Sequence, residues 1–110
     1  MLLCGLLLTG IAFAGIWKAT ASEIVRSHTV VIEGMKFSPS TLHIHAGDRV
    51  TFKNADLVPH TATAKETKIF DSGPIKSGDS WTVSPPAGQT IRYVCTYHPM
   101  MEGEIIVREP

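Results

Sequence analysis

Thr90-Ile91-Arg92-Tyr93-Val94-Cys95-Thr96-Tyr97-His98-Pro99-Met100-Met101 carries a β-branched and aromatic run directly into a thiol, an imidazole and a thioether, at positions 0, +3 and +6. The opening residues suit a strand. Glu104-Ile105-Ile106-Val107-Arg108 reads as the strand that closes the chain. Between them the donor-bearing residues form one loop. A lone cysteine is more often a small buried hydrophobe than a ligand. A histidine three residues on and a methionine six residues on turn that reading toward metal chemistry.

Working outward, the chain continues as short strands between turn residues, the pattern of a sandwich. Ser80-Trp81-Thr82-Val83-Ser84 is a strand closed by Pro85-Pro86-Ala87-Gly88. From Ala55 to Ser80 the pattern weakens, which predicts a long irregular connection with one short strand near Thr61–Ala64. Arg49-Val50-Thr51-Phe52-Lys53-Asn54 alternates, as does Thr41-Leu42-His43-Ile44-His45, with Leu42 and Ile44 inward and both histidines outward. Ala46-Gly47-Asp48 between them has the chemistry of a tight link joining two antiparallel strands. Thr29-Val30-Val31-Ile32 is a further β-branched strand. The expected fold is an all-β, Greek-key β-sandwich of seven or eight strands, with Phe52 and Trp81 in its core. No sustained helical period is present beyond residue 21, and no internal repeat is visible.

The chain has 110 residues with a formal net charge of +0, room for one small domain and no sign of strong affinity for nucleic acid or anionic lipid. Residues 1–17 carry no charged side chain, and Ala19-Thr20-Ala21 supplies the small residues of a signal-peptidase site. Residues 1–21 are therefore expected to be a signal peptide cleaved before Ser22, with retention as an anchor as the alternative. Residues 22–110 form the domain. Export points to the periplasm. Cleavage also removes Cys4, leaving Cys95 as the lone cysteine with no partner for a disulfide.

Soft sulfur together with imidazole suits copper, and two histidines, one cysteine and a weak methionine form the type 1 ligand set. The loop after Cys95 supplies one histidine, so the second must come from elsewhere. His60 is the best candidate, because it comes after a predicted strand and Pro59 stiffens the approach. In a sandwich, strand ends meet at one pole, and the loop near residue 60 can face the loop at 95–101. His43 and His45 read as exposed strand residues, since no third ligand accompanies them. His28 has no assigned role.

The text around these residues resembles the cupredoxins, in particular the amicyanin and plastocyanin-like group. The similar segments are Met35-Lys36-Phe37, Ala46-Gly47-Asp48, Pro59-His60, the run Tyr93 to Met101 and Gly103-Glu104-Ile105-Ile106-Val107. Together they span nearly all of residues 28–108. The resemblance implies one copper ion held by His60, Cys95, His98 and Met101, and it is what favours Met101 over Met100. It also implies one-electron transfer between redox proteins, such as a c-type cytochrome and a quinone-linked donor or dehydrogenase, by a monomer that is not an enzyme. A protein that hands over the copper ion itself is the rival reading.

Two positions depart from the pattern. Thr61 stands where the group commonly has Asn, and Tyr97 where amicyanin and plastocyanin have Pro. Proline has no amide hydrogen, so Tyr97 restores a donor that is expected to point at the Cys95 sulfur.

Overall fold

The computed structural model describes Gly10, residues 24–66 and residues 68–109. The expected signal segment lies outside the described residues, apart from Gly10. Among the described residues, no helix is long and apolar enough to cross a membrane.

Eight strands occur in order: β1 (Ser27–Glu33), β2 (Lys36–Ser38), β3 (Thr41–His45), β4 (Arg49–Asn54), β5 (Thr63–Ala64), β6 (Ser80–Val83), β7 (Gln89–Cys95) and β8 (His98–Arg108). They form two four-stranded sheets, ordered β2-β1-β4-β6 and β3-β8-β7-β5. The all-β sandwich expected from the alternation is the observed fold.

Side-chain alternation builds the core between the sheets. Val30 and Ile32 of β1, and Val50 and Phe52 of β4, point in from one side. Ile91, Tyr93 and Cys95 of β7 and Met101, Ile105 and Val107 of β8 point in from the other. Phe52 is the hub. Its ring meets Tyr93 at 5.2 Å, Phe70 at 6.1 Å, Trp81 at 6.1 Å and Phe37 at 6.3 Å, all edge-on or tilted. Such rings contribute roughly 1.5–3 kcal/mol each by burial alone. Trp81 is only half-buried and packs against this cluster. Tyr93 lies over Gly103 so closely that a Cβ there would run into the phenol ring. Gly103 is the residue that lets Tyr93 fit.

The Ala46-Gly47-Asp48 turn corrects one expectation. It does not join antiparallel neighbours. It carries the chain from one sheet to the other, since β3 pairs parallel with β8 and β4 pairs parallel with β1. The reason is burial: Ile44 and the Val50–Phe52 row face the same interior from opposite sides, so the turn must cross the sandwich. His45 O accepts the Asp48 N–H at 3.0 Å and Arg108 O accepts the Ala46 N–H at 2.7 Å, which closes the crossing.

At the other end of β1, Glu33 pairs with Lys36 across a two-residue turn. Gly34 and Met35 both have positive φ, 62° and 59°. This is the backbone of the primed hairpin turns, and it suits glycine but not methionine. The Met35 conformation must be held by its surroundings.

Candidate metal centre

β7 delivers Cys95. Ile91, Tyr93 and Cys95 share the inward face of the strand, so the thiol is the last core-facing side chain before the chain turns. Thr96 and Tyr97 form the turn, and His98 pairs back with Cys95. The register then slips, because Val94 pairs with Glu102, leaving Pro99, Met100 and Met101 as a bulge on β8. The bulge sends adjacent methionines to opposite environments. Met101 is 4% exposed and Met100 is 97% exposed.

β4 delivers His60 through Asn54. This fully buried side chain donates to Val58 O at 2.8 Å and Ile75 O at 2.9 Å, and its Oδ1 accepts the Asp56 N–H at 2.9 Å. One side chain thereby shapes the whole turn from 55 to 58. His60 then bridges to Ile75 through two backbone hydrogen bonds of 3.1 and 2.7 Å. Its imidazole is fully buried.

The two loops meet at sulfur. Cys95 Sγ lies 3.6 Å from His60 Nδ1 and 3.8 Å from His98 Nδ1. All three donor atoms lie within 4.8 Å of one another, and the imidazole centroids are 5.3 Å apart. This arrangement fits a metal. With metal–donor bonds of about 2.0–2.3 Å, an angle near ~120° separates two donors by roughly 3.7 Å. A thiolate and two imidazoles on a trigonal pattern, with a buried thioether in the neighbouring bulge, are the donor chemistry of a type 1 copper site. Among the described residues this is the only group of three or more metal-capable histidine, cysteine or acidic side chains. His43 and His45 are exposed on β3, as the alternation predicts.

Three hydrogen bonds tie the ligand loops together, one of them between the Thr61 and Thr96 hydroxyls at 3.2 Å. Thr61 N–H donates to Cys95 Sγ at 3.4 Å, and Thr61 Oγ1 accepts the Thr96 N–H at 2.9 Å. The Thr63 hydroxyl adds a bond of 3.0 Å to Thr61 Oγ1. Thr61 thus uses both its amide and its hydroxyl to cross-link the loops. The expected bond from Tyr97 is not there. Among the described residues, the backbone amide that donates to Cys95 Sγ is that of Thr61, and the Tyr97 side chain is half exposed. The register explains this: Tyr97 belongs to the tight turn that pairs Cys95 with His98.

Asp56, which sequence reading passed over, contacts the outer edge of His60. His60 Nε2 and Asp56 Oδ2 are 2.8 Å apart. Burial pushes the Asp56 carboxyl up, but the Met35 and Gly34 amides and His60 outweigh it and hold the group below its ordinary 3.8. Its place four residues before His60 is the one signal the sequence offered.

The sequence matches the cupredoxin-like domain over residues 5–107, and the chain belongs to that family. It is a small type 1 copper electron carrier and not an enzyme. Within the family it is 32% identical to amicyanin-alpha of Methylorubrum extorquens over 98 residues, covering 86% of this chain and 82% of that one. It is 30% identical to amicyanin of Paracoccus denitrificans over 92 residues, or 79% and 70% of the two chains. The fold superposes on a reduced mutant of amicyanin with a TM-score of 0.69 at 27% identity, covering 74% of this chain and 81% of that one. A purple cupredoxin from Nitrosopumilus maritimus gives a TM-score of 0.67 at 26% identity, covering 72% and 97%.

Proposed function

We propose that His60, Cys95, His98 and Met101 hold the copper ion, with Met101 as the weak fourth ligand, and that the carrier works after export to the periplasm. The observation that carries this reading is the meeting of one thiol and two imidazole nitrogens within 4.8 Å, from two loops at one pole. The exposure contrast supports Met101 over Met100, because a ligand to a buried ion cannot be a solvated side chain.

Bound there, copper supplies a one-electron couple between Cu(II) and Cu(I). The protein's part is to keep the donors still. The Thr61–Cys95 and Thr61–Thr96 bonds, with the Asn54 clamp on the loop before His60, fix both ligand loops to the sheets. Little then has to move when the charge at the site changes. Burial of Cys95 and His60 keeps water from the thiolate. His98 is the ligand side chain that reaches the surface, beside exposed Pro99 and Met100. This edge is the proposed electron exit and contact patch, suited to brief, small interfaces with a c-type cytochrome or a dehydrogenase. The same burial disfavours a protein that hands over the ion, which needs donors an acceptor can reach.

Export rests on the uncharged stretch at 1–17 and on Ala19-Thr20-Ala21. Metal analysis of protein purified from its native compartment tests both parts of this reading. One copper per chain, intense visible absorption and reversible reduction are expected, on a chain beginning at Ser22. A colourless protein that exchanges Cu(I) rapidly would replace the electron carrier with a copper carrier.

A further inference from the structure

The carboxylate behind His60 matters to the metal only if His60 ligates copper, so its role rests on the proposed function. Asp56 receives three N–H groups. Oδ1 accepts from Gly34 N at 2.7 Å, and Oδ2 accepts from Met35 N at 3.1 Å and meets His60 Nε2 at 2.8 Å. A carboxylate has only acceptors, so the His60 nitrogen that faces it must carry the proton. The other ring nitrogen, Nδ1, is then the one with a free lone pair, and it is the one 3.6 Å from Cys95 Sγ. The side-chain exposure of Asp56 is 15%, so water screens this pair only in part.

We infer that Asp56 is a positioning residue for the copper site: it fixes the Nε2–H form of His60, aims Nδ1 at the metal and, by its charge, favours the oxidised ion, lowering the reduction potential. Carboxylate–histidine–metal arrangements act in this way by orienting the ring and raising its basicity. A negative charge behind the imidazole stabilises the ion of higher charge more than the ion of lower charge.

The bland reading is that Asp56 only pins the β1–β2 turn. Gly34 and Met35 both donate to it, and Met35 sits at φ 59°, which a methionine adopts only when held. The two roles separate by substitution. Asp56→Asn keeps the shape and removes the charge, while Asp56→Ala removes the acceptor. Met35→Gly relieves the turn, so variants made in that background fold without the pin.

In metal-free protein, nitrogen-detected NMR of His60 should show the Nε2–H form in the wild type and a mixture of tautomers in Met35→Gly/Asp56→Ala. After copper loading, Asp56→Asn should raise the potential and weaken Cu(II) binding about 10–100-fold, with a smaller loss for Cu(I). The rise should persist in Met35→Gly/Asp56→Asn. An unchanged tautomer and an unchanged potential in the Met35→Gly background would overturn the inference and leave Asp56 as a turn clamp. Wild-type protein that forms no blue Cu(II) complex would overturn the ligand reading and this inference with it. A blue wild type with an insensitive variant overturns the role of Asp56 alone.

Discussion

Two aspartate–histidine clamps stand at opposite ends of β4, and only one adjoins the candidate metal centre. Before the strand, Asp48 accepts the His45 N–H at 3.0 Å and the Arg26 N–H at 3.4 Å, and meets His28 Nε2 at 3.0 Å. After it, Asp56 takes the two turn amides and His60. The local chemistry is nearly the same: a carboxylate, two backbone donors and an imidazole. The imidazoles differ. The His28 side chain is 25% exposed and joins no group of metal-capable side chains among the described residues, whereas that of His60 is 0% exposed and its second nitrogen faces a thiol. A histidine on a carboxylate is therefore no sign of a site by itself. What its far nitrogen faces decides the matter.

The contrast between the clamps is most open to attack at Asn54, which shapes the loop of one and has no counterpart in the other. Asn54→Ala takes the side-chain donor from Val58 O and Ile75 O and the acceptor from the Asp56 N–H, and leaves Ile75 O with the His60 N–H alone. The expected loss is about 3 kcal/mol of stability in denaturant titration, with weakened copper binding because His60 loses its approach. A variant as stable as the wild type would mean that the loop is held elsewhere.

Asp48→Asn should cost less, roughly 1–3 kcal/mol, and should leave the visible band unchanged. It also has a distinct pH signature. The His45 amide and His28, helped by the Arg26 amide, outweigh the opposing effect of burial and hold the Asp48 carboxyl below its ordinary 3.8. A lowered folded value stabilises the fold fully above pH 3.8, and that contribution disappears as pH falls from there through the folded value. Thermal unfolding of metal-free wild type and variant should therefore converge below pH 3.8 and diverge above it. A constant gap at all pH values would mean that the charge of Asp48 contributes nothing.

The smallest effects belong to the two methionines. Met101→Leu should keep copper and the blue colour while raising the potential, since a lost thioether donor disfavours Cu(II). Met100→Leu should change neither, because its side chain is in solvent. Voltammetry of the pair would reverse the assignment if Met100→Leu alone moved the potential.

Much of this was legible in the sequence, because alternation and ligand spacing are local signals. The strands around Ile44, Phe52 and Tyr93 come from inward-facing rows, and Cys95 and His98 stand out by their spacing in one loop, while Met101 was preferred to Met100 only through the family resemblance. His60 came from the need for a second imidazole and from Pro59. The turn at Ala46-Gly47-Asp48 was misread because turn residues specify a change of direction, not the sheet to which the next strand belongs. The Tyr97 amide was misplaced because spacing says nothing of which way an N–H points within a turn. Asp56, Asn54 and the Asp48–His28 pair were not legible either. Their partners lie at separations from 2 to 22 residues, and it is the folded chain that brings them together.

Whether one copper ion is held through the Cys95 thiolate, between His60 and His98, can be decided by titrating metal-free wild type and Cys95→Ser with Cu(II) while recording visible absorption. The wild type should develop an intense charge-transfer band that saturates at one equivalent, and a folded Cys95→Ser protein should lack it. An intense band of the same position and strength in Cys95→Ser would show that the thiolate does not hold the ion.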